Sequence, residues 1–280
     1  MRASVERCLA VGVFDGVHLG HRKILEGATA ALTFSRHPLS VLDPASAPKL
    51  IMSLEDRIAA IRDCGIEDVC VLDFTEELAK VPAQEFASAY FGLGGMAGAV
   101  KIRCGGNWRF GRNGEGDAEW LRKRGLEVEV VPYAQYGDEA VSSSRIRRLL
   151  GEGDIYAVNA MLGRRYSISG VVVQGKGEGR NIGFPTLNIN TDSLLRRGVY
   201  EVELGGVKGI ANYGLAPTMA ENAWNCSVLE VHIPGTDSVA TGTDPLRVEF
   251  LRFIRPERKF SSVAELCRQI AQDIRSVMPS

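Results

Sequence analysis

Apolar residues follow two alternating rhythms along the first half of the chain. Short apolar runs at residues 9–13, 31–34, 69–74, 97–102 and 126–131 have the length and composition of buried strands. Between them lie stretches with apolar positions at helical spacing. These are the segment after Gly20, a helix opened by Ser53-Leu54-Glu55-Asp56 and carrying Ile58 and Ile61, and residues 82–91 and 118–123. Strand and helix taken in turn predict a mostly parallel, doubly wound sheet with its ligands at the carboxyl ends of the strands.

Val141-Ser142-Ser143-Ser144-Arg145-Ile146-Arg147 precedes a short helix, and residues 154–162 form another, with Ile155, Val158, Met161 and Leu162 on one side. These two helices read as the join between domains. Beyond Gly163 the rhythm becomes strand runs separated by glycine turns, at residues 167–173, 199–204, 207–213, 227–233 and 246–254. That pattern predicts a small antiparallel β-barrel. A final helix starts at Ser262 with Glu265 three residues on, a capping box, and carries Val263, Leu266, Cys267, Ile270 and Ile274 as its apolar stripe. The expected division is an α/β domain over residues 1–153 and a barrel with a C-terminal helix over residues 154–280.

Composition narrows the function classes. The chain has 280 residues, of which 45% are hydrophobic and 24% charged, as expected of globular domains with sizeable cores. Its 33 basic and 34 acidic residues cancel, so no overall field draws nucleic acid or an anionic membrane, and phosphate binding must come from local groups. Six cysteines at positions 8, 64, 70, 104, 226 and 267 form no CxxC pair, which predicts reduced thiols. The N-terminal residues lack the apolar region of a signal peptide, and no run of about 18 apolar residues occurs, so a cytoplasmic protein is expected.

The densest chemistry in the first half lies in Gly12-Val13-Phe14-Asp15-Gly16-Val17-His18-Leu19-Gly20-His21, an HxGH pair just after the first strand run. If the chain turns at Asp15-Gly16 and a helix starts near Leu19, helical amides and the dipole favour an anion there. His18 and His21 then share a helical face and can both donate to one phosphoryl group as charge builds up, with Gly20 expected to let a ligand approach the backbone. Read alone, the pair also fits two surface histidines, and metal binding is a weaker third reading because no further ligand is suggested nearby.

In the second half, Gly175-Lys176-Gly177-Glu178-Gly179 begins a glycine cluster that runs on through Gly183-Phe184-Pro185-Thr186-Leu187-Asn188. The amides of Gly175, Gly177 and Gly179 suit a phosphate nest, although the loop is not a Walker A sequence. Thr186 and Asn188 alternate along an extended segment, so their oxygens share one face and suit magnesium with an ATP phosphate. A glycine-rich hairpin with two surface polar residues is the competing reading. Glu230, in the run at residues 226–233, is either an inward carboxylate acting as general base or an outward strand glutamate.

Taken together, these segments resemble the prokaryotic bifunctional riboflavin kinase and FMN adenylyltransferase, the FAD synthetase family. The resemblance spans nearly the whole chain. It includes the HxGH segment, Thr33-Phe34-Ser35-Arg36-His37-Pro38, Asn107-Trp108-Arg109-Phe110-Gly111 and Ser142-Ser143-Ser144-Arg145-Ile146-Arg147. It continues through Gly183-Phe184-Pro185-Thr186, Asn212-Tyr213-Gly214 with Pro217-Thr218, Glu230, and Arg255 to Phe260.

The resemblance implies that the first domain joins the AMP of ATP to FMN and releases pyrophosphate. His18 and His21 would stabilise the reacting phosphates within the loop of Gly12, Phe14, Asp15, Gly16 and Gly20, while Ser142, Ser143 and Arg145 would hold pyrophosphate. Asn107, Arg109 and Phe110, with His37 and Pro38, would lie by the nucleotide and flavin. The second domain would be a riboflavin kinase in which Thr186 and Asn188 bind magnesium-ATP, Glu230 activates the ribityl terminal hydroxyl, and Arg255 faces the flavin. Implied substrates are riboflavin, FMN and ATP.

Three stretches depart from the family pattern: a short link at residues 25–32, Ser35-Arg36 in place of an acidic residue and proline, and residues 234–243 in place of an aspartate-rich stretch. A monofunctional enzyme with one inactive half, or a noncatalytic flavin or nucleotide binder, are the alternative functions. The retained His18, His21, Thr186, Asn188 and Glu230 argue against the binder, since binding alone does not require both the imidazoles and a base.

Overall fold

The computed structural model describes residues 7–92, 100–173, 177–215, 227–235 and 245–278. Gly175, Pro217, Thr218, Cys226 and residues 236–243 lie outside the described residues, as does the start of the strand expected at 97–102. The chain forms two compact units, Met1–Ser143 and Ser144–Ser280.

In the first unit the elements run β1 (Arg7–Val11), α1 (Leu19–Leu25), β2 (Ala30–Phe34), α2 (Leu39–Leu42), α3 (Leu54–Arg62), β3 (Asp68–Leu72), α4 (Glu76–Ala79) and α5 (Ala83–Tyr90). β4 (Val100–Gly105), α6 (Ala118–Arg122) and β5 (Val128–Val131) follow, then a small hairpin of β6 (Gln135–Tyr136) and β7 (Glu139–Ala140). The five long strands form a parallel sheet in the order β3-β2-β1-β4-β5. The short link after α1 still permits a parallel crossover, because residues 12–29 separate β1 from β2.

Both faces of this sheet are covered, which explains why its strands read as continuous apolar runs. Ala10 and Ala31 pack in one layer with Leu25, Ile61 and Ile66. Their neighbours Val11 and Leu32 pack in the opposite layer with Phe86, Phe91, Ile102 and Phe110. Strand order reverses at β1, placing a topological switch point between the carboxyl ends of β1 and β4.

The helix α7 (Ser143–Glu152) leads into the second unit, followed by α8 (Ile155–Leu162), β8 (Tyr166–Gly170), β9 (Val172–Val173), α9 (Glu178–Asn181) and β10 (Leu187–Asn190). Then come β11 (Gly198–Leu204), β12 (Val207–Leu215), β13 (Ser227–His232), β14 (Leu246–Arg255) and α10 (Val263–Val277). The seven strands form a curled antiparallel sheet, β8-β14-β11-β12-β13-β10-β9. Its first and last strands are separated in sequence by Val171 alone, so the sheet has to curl until its edges approach. The run expected over 167–173 breaks at that point because Gly170 passes against Ile189, where a Cβ would collide.

The long helix α10 covers part of the outer face. Ile270, Ile274 and Val277 pack on Val199, Ile210 and Ile254. Arg255 grips the buried Asp273 carboxylate through Nε at 3.0 Å and Nη2 at 2.7 Å, and Gln269 Nε2 adds a bond of 2.8 Å. Two details of this helix differ from expectation. Ser262 Oγ accepts from Glu265 N at 3.2 Å, but the Glu265 carboxylate returns to Ser261 N and Oγ, not to the cap residue itself. Val263, expected in the apolar stripe, is exposed.

Candidate active sites

The loop after β1 is built on an unusual backbone. Phe14 and Val17 have φ of 54° and 40°, and Gly16 between them has 87°. A β-branched residue in the left-handed region costs about 1–3 kcal/mol, and here the burial of both Phe14 and Val17 holds it in place. Asp15 is buried too, and both its carboxylate oxygens accept from Ile51 N, at 3.0 and 3.2 Å.

Beneath the loop lies Arg57, the largest fully buried side chain described. Its Nη1 donates to Val13 O at 3.0 Å, while Nη2 donates to Phe34 O at 2.6 Å and Ser35 O at 3.2 Å, so one guanidinium ties together the ends of β1 and β2. Thr33 Oγ1 adds a second bond to Val13 O, at 2.9 Å. Burial lowers the Arg57 pKa, while the nearby Asp15 and Glu55 charges oppose that effect. Sequence reading passed over Arg57, yet it shares a helical face with Ala60 and Ile61, which are also buried.

His18 is the cap of α1 and does not lie within the helix. Its Nδ1 accepts from His21 N at 3.3 Å, so in the neutral ring the proton resides on Nε2. The two imidazoles stack with centroids 3.6 Å apart and planes 15° from parallel, and Phe14 meets His21 edge-on at 5.4 Å. Gly20 also serves a neighbouring side chain. A Cβ there would lie 3.1 Å from His18 Cε1 and 3.2 Å from its Nδ1, so the glycine makes room for the histidine ring.

Other expected residues of this unit lie in the loops that follow its strands. Ser143 Oγ donates to Asp15 O at 2.8 Å, fixing the start of α7 on the loop. Ser142 is the residue before it; Arg145, half-buried on the first turn of α7, belongs to the second unit. Asn107 and Arg109 are exposed in the loop after β4, across the switch point from the histidines, and Arg109 pairs with Asp117 at 2.6 Å. The Phe110 ring lies within an aromatic cluster, stacked on Trp108 at 4.9 Å and edge-on to Phe91 and Trp120, so it forms a wall behind this loop. After β2, His37 Nδ1 accepts from Leu39 N at 3.2 Å and Pro38 caps α2. The departure at Ser35-Arg36 is anchored: both side chains bind Asp73, and that Ser35 bond leads the effects that hold its carboxyl below the usual range.

In the second unit the site is written in strand register. Asn188 pairs with Glu230, Glu230 with Asn212, Asn212 with Val199, and Val199 with Arg255, giving one row across five strands. Glu230, Asn212, Val199 and Arg255 all line a cavity of about 270 Å³, which Thr186, His232 and Gly179 also border. Leu229 and Val231 are buried on the opposite face, so Glu230 points away from the strand core but into this cavity, reconciling the inward and outward readings. Gly177 adopts φ 72° at the start of α9. A Cβ on Gly179 would collide with Phe184 O and lie 3.4 Å from Thr186 Oγ1, so this glycine lets the loop close onto the segment bearing Thr186. Asn212, His232 and Asp273 were missing from the expected site; two of them carried a sequence signal, Asn212 as part of the Asn212-Tyr213-Gly214 motif and His232 by lying two residues from Glu230 on the same strand face.

A parallel sheet with paired imidazoles in the loop after its central strand, followed by an antiparallel half-barrel with a carboxylate in its cavity, has the makings of a phosphate-handling transferase. Sequence comparison specifies it. The FAD synthetase family matches residues 2–145 and the riboflavin kinase family residues 162–279. The bifunctional riboflavin kinase/FMN adenylyltransferase of Bacillus subtilis strain 168 is 34% identical, covering 95% of this chain and 89% of its own length. The protein of that name from Escherichia coli strain K12 is 32% identical, covering 97% and 92%. A crystal structure described as a macrolide-efflux protein from Streptococcus pneumoniae matches with a TM-score of 0.81 at 27% identity, covering 98% of this chain and 94% of that one. The efflux description belongs to that protein; among the described residues here, no helix is long and apolar enough to cross a membrane.

The chain belongs to the bifunctional riboflavin kinase/FMN adenylyltransferase family. It is an enzyme of FAD biosynthesis, forming FMN from riboflavin and FAD from FMN with ATP as the second substrate.

Proposed function

We propose that residues 1–153 adenylylate FMN and residues 154–280 phosphorylate riboflavin, through two separate sets of side chains. The observation that carries this assignment is the five-strand row holding Asn188, Glu230, Asn212 and Arg255, built wholly within the second unit. In the kinase reaction the ribityl terminal hydroxyl attacks the γ-phosphorus of ATP, Glu230 takes its proton, and ADP leaves. Gly175, Gly177 and Gly179 cover the phosphates, and Arg255 forms part of the flavin-facing wall while it holds Asp273.

Magnesium fits the donor set beside Glu230. The Thr186 hydroxyl and the Asn188 amide oxygen are hard oxygen ligands, and magnesium is commonly bound by few protein groups together with water and substrate phosphates. Bound there, the ion supplies neutralisation of phosphate charge. Thr186 and Asn188 would hold it, and Gly179 keeps the loop close to Thr186.

In the adenylylation an FMN phosphate oxygen attacks the α-phosphorus of ATP and pyrophosphate leaves. His18 and His21 stabilise the charge on the reacting phosphates, Ser142, Ser143 and Arg145 hold the departing pyrophosphate, and Gly12, Phe14, Asp15, Gly16 and Gly20 shape the loop beneath them. Asn107, Arg109, His37 and Pro38 lie along the flavin and nucleotide, with Phe110 as the wall behind. The enzyme acts on small molecules, not on nucleic acid, and works in the cytoplasm. That reading is supported by a net charge of -1 and by six cysteines whose spacing includes no CxxC pair.

The test is chromatography of the flavins formed from riboflavin with magnesium-ATP and, in parallel, from supplied FMN. His21→Ala is expected to lower FAD formation by about 10²-fold or more while FMN still accumulates. Glu230→Gln is expected to lower riboflavin phosphorylation by about 10²–10⁴-fold while supplied FMN is still adenylylated. Parallel loss of both products in either variant would overturn the assignment of separate sites.

A further inference from the structure

The segment Phe184-Pro185-Thr186 borders the kinase cavity but stands just outside the sheet. The ladder between β10 and β13 begins at Leu187 opposite Val231. Pro185 has no N–H to extend it. Something else has to fix this segment, since any freedom in it moves the Thr186 hydroxyl. One contact is Phe184 N to Gly179 O at 2.7 Å, which ties it to a short glycine-rich turn.

The other contact comes from a rigid element. His232 Nδ1 lies 2.8 Å from Pro185 O. A carbonyl only accepts, so Nδ1 carries the proton, and the neutral ring then keeps its lone pair on Nε2. The imidazole is buried, and Phe184 meets it edge-on at 5.7 Å, so the two residues before Thr186 are both held against β13. Extending the register by one step sets Thr186 opposite His232, as Asn188 is opposite Glu230. His232 and Glu230 are two residues apart on one face of the same strand.

We propose that His232 is a positioning residue of the riboflavin kinase site: its Nδ1–H holds the Pro185 carbonyl and thereby sets the Thr186 hydroxyl in register with Asn188 and Glu230. This rests on the reading of Thr186 as a ligand of magnesium-ATP. The amide nitrogen of asparagine reaches the place of a histidine Nδ1, whereas that of glutamine reaches the place of Nε2. The pair of substitutions therefore separates the donor from the bulk of the ring.

The experiment is steady-state kinetics of riboflavin phosphorylation by the full chain with varied magnesium-ATP, alongside adenylylation of supplied FMN. Loss of Thr186 positioning removes binding shared by ground and transition states, so it appears in KM more than in kcat. His232→Gln is expected to raise the KM for ATP about tenfold. His232→Asn is expected to stay within about twofold of the parent, and adenylylation is expected to be unchanged in both. Thr186→Val is the control and is expected to raise the same KM. Equal damage from His232→Asn and His232→Gln, or a parental KM in His232→Gln beside a raised KM in Thr186→Val, would overturn the role of His232. An unchanged KM in Thr186→Val would overturn the reading of Thr186 itself, and the proposal with it.

Discussion

In the parallel unit the site loop is fixed from beneath, by a buried guanidinium that gathers the carbonyls of Val13, Phe34 and Ser35. In the antiparallel unit the site side chains are fixed sideways, by the ladder that aligns Asn188, Glu230, Asn212 and Arg255. The difference follows from topology. A parallel sheet presents its ligands at strand ends, where the backbone leaves the ladder and its polar groups need other partners. An antiparallel strand can use its own face, because every second side chain lies outside the core. The first arrangement concentrates stability in few buried polar atoms, and the second spreads it over many ordinary contacts.

The sharpest way to break that contrast is Arg57→Ala. It takes the Arg57 donors from the Phe34 and Ser35 carbonyls, leaves Val13 O with Thr33 alone, and opens a cavity, at a cost of about 3 kcal/mol or more. Chemical unfolding followed by both activities is expected to show adenylylation lost at lower denaturant than kinase activity; coincident loss would mean that the units unfold as one. Gly20→Ala tests the loop more finely. Alanine improves helix propensity by up to about 1 kcal/mol, but its Cβ presses on the His18 ring. Thermal stability is expected to hold while adenylylation falls about tenfold and kinase turnover is unaffected.

The smallest effect is expected in the spread-out ladder of the second unit. Burial pushes the Glu201 carboxyl up, but bonds from Lys208 at 2.9 Å and Arg252 at 2.6 Å together hold it below its ordinary value. A carboxylate depressed in the folded state stabilises fully above the unfolded carboxylate pKa, and that contribution is lost as pH falls through the native value. Glu201→Gln is therefore expected to cost about 1–2 kcal/mol near neutral pH. The gap from the parent should close on acidification, as read by urea unfolding at several pH values.

Much of the architecture was legible because each strand and helix obeys its own period. Ser53 and Asp154 cap the helices expected of them, and the strand runs in the barrel fall where the glycine turns place them. What escaped were features created by a partner distant in sequence. Nothing in the local pattern around Arg57 announces three carbonyls on two other segments. In the second unit Thr186, Asn188 and Glu230 were each visible as residues, but their alignment with Asn212 and Arg255 depends on register, which alternation alone leaves open.

The one-residue link through Val171 has a consequence for how these molecules behave toward one another. A strand with a bare side is a template on which a foreign strand can grow, and open antiparallel sheets have two such sides. Here the two border strands, β8 and β9, are joined end to end through one residue. A foreign strand growing along either border runs into the turn at Val171 where the other border begins, so the connection limits how far an added strand can extend.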